Sequence, residues 1–597
     1  MCRIAGMVHA EMPVNEIEKL IQQMCGLQQH GGPDDEGFYT SSPDKLVLGN
    51  RRLALIDLSA AGHMPMKYAE RYFITYNGEL YNFPILKKEL MELGHQFQNH
   101  TDTEVILAAF AQWKTQSFAR LKGMFAFALW DSKEKELYLV RDAAGIKPLY
   151  YASGNGFLIF ASEIRAFKPV DFLQTTNKKW PVYLMAYGHI PEPASTFDNL
   201  KPLHKGTFLK YELKNGFTSL QSFAHYSYSE QLKDPEGTSK LIAHSIDDSV
   251  QRHLLADAPI GVFLSGGLDS SIIASLAAKY KHTSLNTLSV YFEENEYSEK
   301  KYQDIIKQKL QCDHHEYLLK EEEFHNSLEQ ILNSMDMPSC DGINTWFISK
   351  YAASLGLKAV LSGIGGDELF GGYPSFKRIT VSRMLQHMPE ILLNAGKRSN
   401  LKRLNRMAYL NMTGIKGIYL FLRGHFSPIE IARHLGTYER DVWEILNEQP
   451  VFNNISNIDN RNQAGWMEFN MYMQNQLLRD ADVMSMIHSV EIRVPFLDDD
   501  VIRLACKITP ETKYEGPLTK QALINSFSNV LPREIWDRPK MGFSLPFAKW
   551  LSSSTYVKEL MQRSNKRSKE SYQKFLDGKL HWSHMMSLII LSKNNIN

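Results

Sequence analysis

Residues 260–280 read IGVFLSGGLDSSIIASLAAKY, and the order of residue types in this stretch decides the architecture of the larger part of the chain. Residues 260–264 form a short apolar run of strand length. A glycine and serine turn follows, and residues 270–280 have helical composition. Strand, glycine-rich turn and helix in direct succession are the repeating unit of a doubly wound parallel sheet, whose site lies at the carboxyl ends of its strands. In the turn, Gly266 and Gly267 let a ligand approach the backbone closely, and the amide N–H groups and helix N-terminus favour an anion. Ser265 and Ser270 add hydroxyl donors, and Asp269 can hold Mg²⁺ against phosphate oxygens. The lysine of the GxxxxGK[ST] loop is absent. A lone Ser-Gly-Gly is an ordinary tight turn; the full string between strand and helix points to a nucleotide.

The pattern recurs downstream. Residues 285–292, 316–319 and 358–361 read as further strands with helical segments between them, and residues 376–480 read as mostly helical. The strand at 358–361 runs into residues 362–373, SGIGGDELFGGY. There Gly363 can approach a nucleotide and Asp367 can supply a second carboxylate to a metal. Alone, this string is an acidic turn capping a helix. Two such loops at successive strand ends predict an ATP–Mg²⁺ site.

The first third reads differently. Residues 71–81, RYFITYNGELY, alternate like a strand and then turn at Asn77-Gly78. Residues 124–130 and 136–140 are apolar strands joined by a polar turn, and residues 150–152 and 157–161 flank Gly154-Asn155-Gly156, a second hairpin signal. Helices are expected over residues 14–29 and 83–93. Layered sheets with peripheral helices follow. Proline, glycine and polar residues cluster over 189–240, which divides the chain into a domain at 1–210, a linker at 211–235 and a second domain at 236–597.

A chain of 597 residues is too long for one core. With 67 basic and 66 acidic residues the net charge is +1, so nothing global points to nucleic acid or a membrane surface. Five scattered cysteines without a CxxC pair favour a reducing compartment. No run approaches the roughly 18 apolar residues of a membrane helix. His9 and Glu11 interrupt any signal-like start, so a cytoplasmic protein is expected. The start Met-Cys-Arg-Ile-Ala-Gly adds one more feature. Removal of Met1 leaves Cys2 with a thiol and a free α-amine, and an amine titrating near about 7.7–8.0 can act as base at neutral pH.

With Cys2 at its start and SGGLDSS in its middle, the chain resembles the glutamine-hydrolysing asparagine synthetases, from Cys2 to about residue 547; the SGGLDSS loop itself resembles that of ATP pyrophosphatases. The resemblance implies an N-terminal-nucleophile glutaminase with a four-layer α/β/β/α sandwich, followed by a doubly wound α/β synthetase domain with helical additions. It implies that Cys2 attacks the glutamine carboxamide. Asn77 and Gly78 supply the oxyanion hole, Arg52 clamps the α-carboxylate, and Glu79 and Asp102 receive the α-ammonium. In the second half it implies that Ser265, Gly266, Gly267, Asp269 and Ser270 hold phosphate, that Leu264, Val290, Ser362 and Gly363 lie near the adenosine, and that Asp269 and Asp367 hold metal. Lys540, in residues 538–543 (RPKMGF), falls on the ATP phosphates as a catalytic lysine, with Lys520 as a secondary candidate. Residues 491–498, EIRVPFLD, are a family string in which Arg493 and Asp498 are either framework ion-pair residues or site residues. ATP and Mg²⁺ are the implied cofactors. The implied small-molecule substrates are glutamine, ATP and a carboxylic acid acceptor, nominally L-aspartate, with release of AMP and pyrophosphate. A homodimer is compatible with this reading.

Four positions depart from the family pattern. Arg3 stands where glycine is usual, and residues 30–34, HGGPD, lack the usual arginine at Gly31; one gain and one loss form a candidate compensation in space. Ile364 replaces an acidic residue implicated in the aspartyl half-reaction. Residues 335–346 lack an arginine that some synthetases use on the substrate carboxylate and offer Asp336 and Asp341 instead. The wording of the second loop resembles homologues encoded with surface-polysaccharide genes, which implies another acid such as a sugar uronate as the alternative acceptor; an ammonia-only synthetase is a further alternative. His314, His315 and Glu316 beside Cys312 read as structural, because adjacent strand residues face opposite ways. Met467, Met471, Met473, Met484 and Met486 read as helical core, and Lys397, Arg398, Lys402, Arg403 and Arg406 as a solvated helix face.

Overall fold

In the computed structural model Cys2 opens a strand at the heart of a six-stranded sheet. The structure describes residues 2–281, 285–294, 296–310, 312–396, 402–448, 455, 457–542 and 544–596; Met1, Lys397, Arg398 and Phe543 of the sequence reading lie outside the described residues. The first sheet runs, in spatial order, through Lys201–Pro202, Tyr150–Gly154, Phe157–Ala161, Cys2–His9, Leu46–Arg52 and Asp35–Ser41. The second runs through Phe217–Ser222, Thr207–Glu212, Glu136–Arg141, Gly123–Asp131, Tyr72–Leu80 and Met66–Tyr68. Strand alternation sends successive residues of Cys2–His9 to opposite faces. Ile4 and Val8 meet Ala126, Ala128 and Trp130 of the other sheet in a buried layer. Ala5 and Met7 face outward onto Ile17 and Ile21 of the helix Val14–Gly26. The helices Phe83–Glu92 and Asp102–Trp113 cover the second sheet through Leu86, Val105 and Phe110. The result is the expected α/β/β/α sandwich.

Two local expectations are corrected. Asn77-Gly78 is no turn: the strand runs unbroken over Tyr72–Leu80, with Gly78 opposite Phe125. The glycine is required there by close approach, since a Cβ would lie 2.2 Å from the Met124 carbonyl oxygen. The sheet also passes the expected boundary at 210, because Phe217–Ser222 pairs with Thr207–Glu212. Residues 211–222 therefore lie in the sheet, and the chain leaves it only afterwards.

The second half is built on a parallel five-stranded sheet in the order Asp313–Leu318, Asn286–Tyr291, Ile260–Phe263, Ala359–Leu361 and Glu491–Arg493. The helices Pro235–His253 and Leu268–Lys281 pack against it and against each other. Ile260–Phe263 has Asn286–Tyr291 on one side and Ala359–Leu361 on the other, so the strand order reverses there. That is the position where open α/β sheets place a ligand crevice. Both glycine loops leave the sheet at this point. The last strand, Glu491–Arg493, comes from the EIRVPFLD string and had no strand signal of its own.

The two halves share one continuous core, in which Leu55, Tyr81, Met124 and Ile146 join Val250, Ile260 and Val262. Buried charge crosses the same seam. Arg493 is fully buried, with Nε 2.6 Å from Glu491 Oε1, Nη1 donating to the carbonyls of His253 and Leu255 at 2.8 and 2.6 Å, and Nη2 3.4 Å from Glu79 Oε2. Asp498 instead caps the helix Asp499–Lys507 and pairs with Arg252 at 2.9 Å. Both residues form framework contacts. Removing one partner of a buried ion pair strands the other, at a cost of roughly 3–5 kcal/mol. Arg493→Met is expected to lower the thermal unfolding temperature sharply, and Arg252→Met less, because Arg252 is 25% exposed and Asp498 keeps the Asp500 N–H as a partner; calorimetry of the two variants side by side checks this.

Candidate active sites

The first site forms where the strand Cys2–His9 begins. Antiparallel register sets Cys2 opposite Arg52, and Cys2 is buried at 5% exposure. Its backbone N–H donates to Asn77 Oδ1 at 3.3 Å. Because that oxygen faces Cys2, the other end of the amide is set apart, and Asn77 Nδ2 is buried without a hydrogen-bond partner among the described residues. An unpaired buried donor is costly unless something arrives to accept from it. Burial pushes the Cys2 thiol up, while the Leu53 backbone N–H and Arg52 work against that rise.

The remaining residues read for this end are fixed in different ways. Arg52 Nη1 donates to Ser59 O at 3.0 Å and Nη2 to the carbonyls of Ile56 and Asp57, so one loop cages the guanidinium. Gly62 is part of the cage, since a Cβ there would lie 1.9 Å from Nη2. Asp102 starts the helix Asp102–Trp113, and its Oδ2 accepts from the Leu80 N–H at 2.9 Å and the Tyr76 hydroxyl at 3.0 Å. Glu79 stands two residues along the strand from Asn77, on the same face. Burial pushes its carboxyl well above the usual range, opposed by Arg493.

Next to Cys2, Arg3 is fully buried; its Nε donates to Glu163 Oε1 at 2.6 Å and its Nη2 lies 2.9 Å from Asp482 Oδ2, across the seam. A Cβ on Gly31 would lie 2.6 Å from Arg3 Cγ and 2.9 Å from its Nε. Positions 3 and 31 thus draw on the same space.

The second site forms where the two glycine loops interlock. Gly266 turns with φ at +82°, in the left-handed region. The Gly267 N–H donates to Ser265 Oγ at 3.2 Å, and the Ser265 and Ser270 hydroxyls are 2.9 Å apart. Gly363 and Gly366 of the other loop pack directly on Asp269: a Cβ on Gly363 would lie 2.9 Å from its Cβ, and one on Gly366 2.5 Å from its Cγ. Only glycines let the loops come this close. The approach brings Asp269 and Asp367 together on the ammonium of Lys520, which contacts both carboxylates. Lys540 Nζ lies 2.7 Å from Asp367 Oδ1 and donates to Gly372 O at 2.9 Å. Lys520, the secondary lysine of the sequence reading, is thus the central one. Burial alone would raise Asp367, yet Lys520 and Lys540 outweigh it and hold the carboxyl at about 2. Asp269 is raised, because burial exceeds the pull of Lys520.

A cavity of about 830 Å³ opens above these groups. Its walls include Leu264, Ser265, Gly267, Asp269, Ser270 and Val290 from the first strands, Ser362, Gly363 and Asp367 from the second loop, and Lys520 and Lys540. Gly266 instead turns against Tyr302 and is not among the lining residues. Of the two acids read at 335–346, Asp341 lines the cavity beside Ile364. Asp336 accepts from the Ile164 and Arg165 N–H groups at 2.8 Å, at the seam. Sequence reasoning missed Arg538, whose Nη2 donates to Gly266 O at 2.9 Å and pairs with Glu299 at 2.8 Å, although it begins the RPKMGF string. It also missed Asp480, which lines the far wall and accepts from Ser339 Oγ at 2.5 Å.

Residues 241–588 match the family model described as asparagine synthase, and residues 1–224 match the glutamine amidotransferase domain. The chain is similar to asparagine synthetase [glutamine-hydrolyzing] 1 of Bacillus subtilis, 31% identical over 94% of this chain and 90% of that one. It is also similar to a putative asparagine synthetase [glutamine-hydrolyzing] of Mycobacterium bovis, 29% identical over 89% of this chain and 84% of that one. A solved glutamine phosphoribosylpyrophosphate amidotransferase of B. subtilis aligns with 47% of this chain and 63% of its own at 18% identity, with a TM-score of 0.29.

Asp480 gives this site a measurable pH signature. Burial raises its carboxyl from 3.8 to about 7, against the pull of Arg479 and Ser339. A carboxyl raised on folding stabilises the fold fully below its unfolded value, and that contribution is lost as pH climbs to the folded value. Asp480→Asn is therefore expected to remove a decline in stability between about pH 4 and 7, read from denaturant unfolding of both proteins across that range.

Proposed function

The chain belongs to the asparagine synthase family, with a glutamine amidotransferase domain ahead of the synthase domain, and from that premise we propose that it is a glutamine-hydrolysing amidotransferase that uses ATP to convert a carboxylic acid to its amide. The observation that carries the proposal is the placement of Asn77, with Oδ1 on the Cys2 nitrogen and a buried Nδ2 that has no hydrogen-bond partner among the described residues.

In this reading Cys2 Sγ attacks the carboxamide carbon of glutamine. The α-amine exposed by loss of Met1, oriented by Asn77 Oδ1, takes the thiol proton and passes it to the departing nitrogen. Asn77 Nδ2 donates to the oxygen that gains charge in the tetrahedral intermediate, a role worth roughly 3–4 kcal/mol. Ammonia leaves, and water then resolves the thioester to glutamate. Arg52, Glu79 and Asp102 hold the two ends of the amino acid. In the second site the acceptor carboxylate attacks the α-phosphorus of ATP and pyrophosphate departs. Ammonia then displaces AMP from the acyl carbon. Ser265, Gly267 and Ser270 offer donors to the phosphates, and Lys520 and Lys540 offset the charge on the leaving pyrophosphate.

The residues fit a divalent cation. Asp269 and Asp367 converge, and Asp269 Oδ1 is buried without a hydrogen-bond partner among the described residues. These two carboxylates would hold Mg²⁺, which when bound supplies positive charge to phosphate oxygens. The apolar residues at the seam, Leu55, Met124 and Ile146, support passage of uncharged ammonia between the sites. Five unpaired cysteines support a reducing, cytoplasmic setting. L-Aspartate is the nominal acceptor. Ile364 in the cavity wall supports a second reading, another carboxylic acid such as a uronate.

Cys2→Ala is expected to abolish glutamine-dependent amide formation while leaving ammonia-dependent formation intact; equal loss of both contradicts two separate sites. Asn77→Ala is expected to cut kcat for glutamine hydrolysis about 100- to 1,000-fold. Acid-dependent release of pyrophosphate and AMP, screened over aspartate and uronates, identifies the acceptor. Acid-dependent ADP formation would sink the proposal.

A further inference from the structure

A second cavity, of about 510 Å³, lies between the two halves on the other side of the segment Glu468–Leu477. It is within the size range of small-molecule sites, and it shares no lining residue with the nucleotide cavity. Lys205 is one of its walls. The Lys205 Nζ is buried and has no hydrogen-bond partner among the described residues, and it lies over the Phe469 ring, 4.3 Å from the centroid.

The carboxylates near this ammonium are already engaged. Glu192 Oε1 accepts from Arg141 Nη1 at 2.9 Å and its Oε2 from Gln474 Nε2 at 2.7 Å. Asp142 Oδ1 accepts the N–H groups of Ala144 and Ile146, and Oδ2 those of Lys147 and Phe125. Neither acid forms an ion pair with Lys205. Burial accordingly pulls the Lys205 ammonium down to about 7, with Glu192 the main opposing influence. A buried cation without a partner is expensive, and the Lys205 side chain belongs to the cavity lining.

The rest of the lining specifies what enters that space. Phe469, Trp466, Tyr226 and Tyr228 present aromatic surface, which favours a flat apolar body. Asn470 adds an amide at the same wall. The Glu192 carboxylate of the lining is already paired with Arg141, so aromatic faces around the Lys205 ammonium favour a planar organic anion over a small hydrated inorganic one.

We propose that this cavity is a second ligand site, outside both reaction centres, that takes a small organic carboxylate with a flat apolar body, its carboxylate on Lys205 and its ring among the aromatic side chains. The segment Glu468–Leu477 has π-helical turns, a local form that often marks function. It turns Phe469, Asn470 and Gln474 to this cavity and Tyr472 and Leu477 to the nucleotide cavity. One wall therefore serves both.

Benzoate is the probe. Titrated calorimetrically into the full chain, it is expected to bind saturably, with and without ATP present, and to quench tryptophan fluorescence in the parent protein but not in Trp466→Phe. Lys205→Met is expected to weaken binding at least tenfold and Lys205→Arg to retain most of it, both with unchanged ammonia-dependent pyrophosphate release. Absence of saturable binding to the parent chain overturns the proposal even if Lys205→Met fails to fold. So does binding that ATP displaces, or binding that Lys205→Met leaves unaltered.

Discussion

The guanidinium of Arg493 is the contact on which both halves of the molecule close. It lies fully out of water, where an unmatched charge is intolerable. Each of its donors therefore dictates the position of something else. Nε fixes Glu491 on its own strand. Nη1 gathers the carbonyls of His253 and Leu255, where the helix Pro235–His253 ends and has few partners of its own. Nη2 faces Glu79, on the strand that also carries Asn77. The backbone carbonyl of Arg493 accepts the Ser362 N–H at 2.8 Å, at the root of the second glycine loop. One residue thus ties the strand of the nucleophile's partner to the loop that positions Asp367.

Arg3 repeats the device one strand away. It reaches from beside the nucleophile to Asp482 on the helix Leu478–Met486, which also carries Asp480 into the nucleotide cavity. A second partner, Glu163, also receives His30 at 3.0 Å and Arg165 at 2.8 Å. Two positive groups and a histidine on one carboxylate hold it ionised despite burial, well below the usual range. Gly31 leaves room for this arginine, because a side chain there would overlap Arg3.

The parts of this architecture that were legible in the sequence are the ones that short segments encode by themselves. SGGLDSS announces its strand, turn and helix within twenty residues, and the structure keeps that order. Glu491–Arg493 was invisible as a strand for the opposite reason. It has three residues with charged ends, and its burial depends on His253, Leu255 and Glu79, all more than 230 positions away. Asn77-Gly78 misled because Asn-Gly is the strongest short hairpin signal, whereas here the glycine answers a neighbouring strand. Phe217–Ser222 reads as linker because it is the outermost strand of its sheet, largely exposed, with only Phe217 and Leu220 apolar and no alternating pattern between them. Lys520 ranked below Lys540 because it sits in no distinctive string; only the convergence of two loops makes it central.

The same distinction explains why the reaction was easier to read than its acceptor. The proposed phosphate chemistry rests on two contiguous loops, each with its glycines, hydroxyls and carboxylate in fixed order. The other walls of the cavity include Asp341, Ile364, Lys377, Tyr472 and Asp480; Tyr472 and Asp480 share one helical run and the others come from elsewhere in the chain. No spacing in the sequence brings these together. Ile364 removes a charge from those walls, but Asp341 and Asp480 remain in them, and burial raises both carboxyls above their ordinary values. Acids inclined to hold their protons offer hydrogen bonds more readily than fixed negative charge. In the proposed reaction, acceptor choice then depends on these side chains together, and the substitution at Ile364 is only one contribution to it.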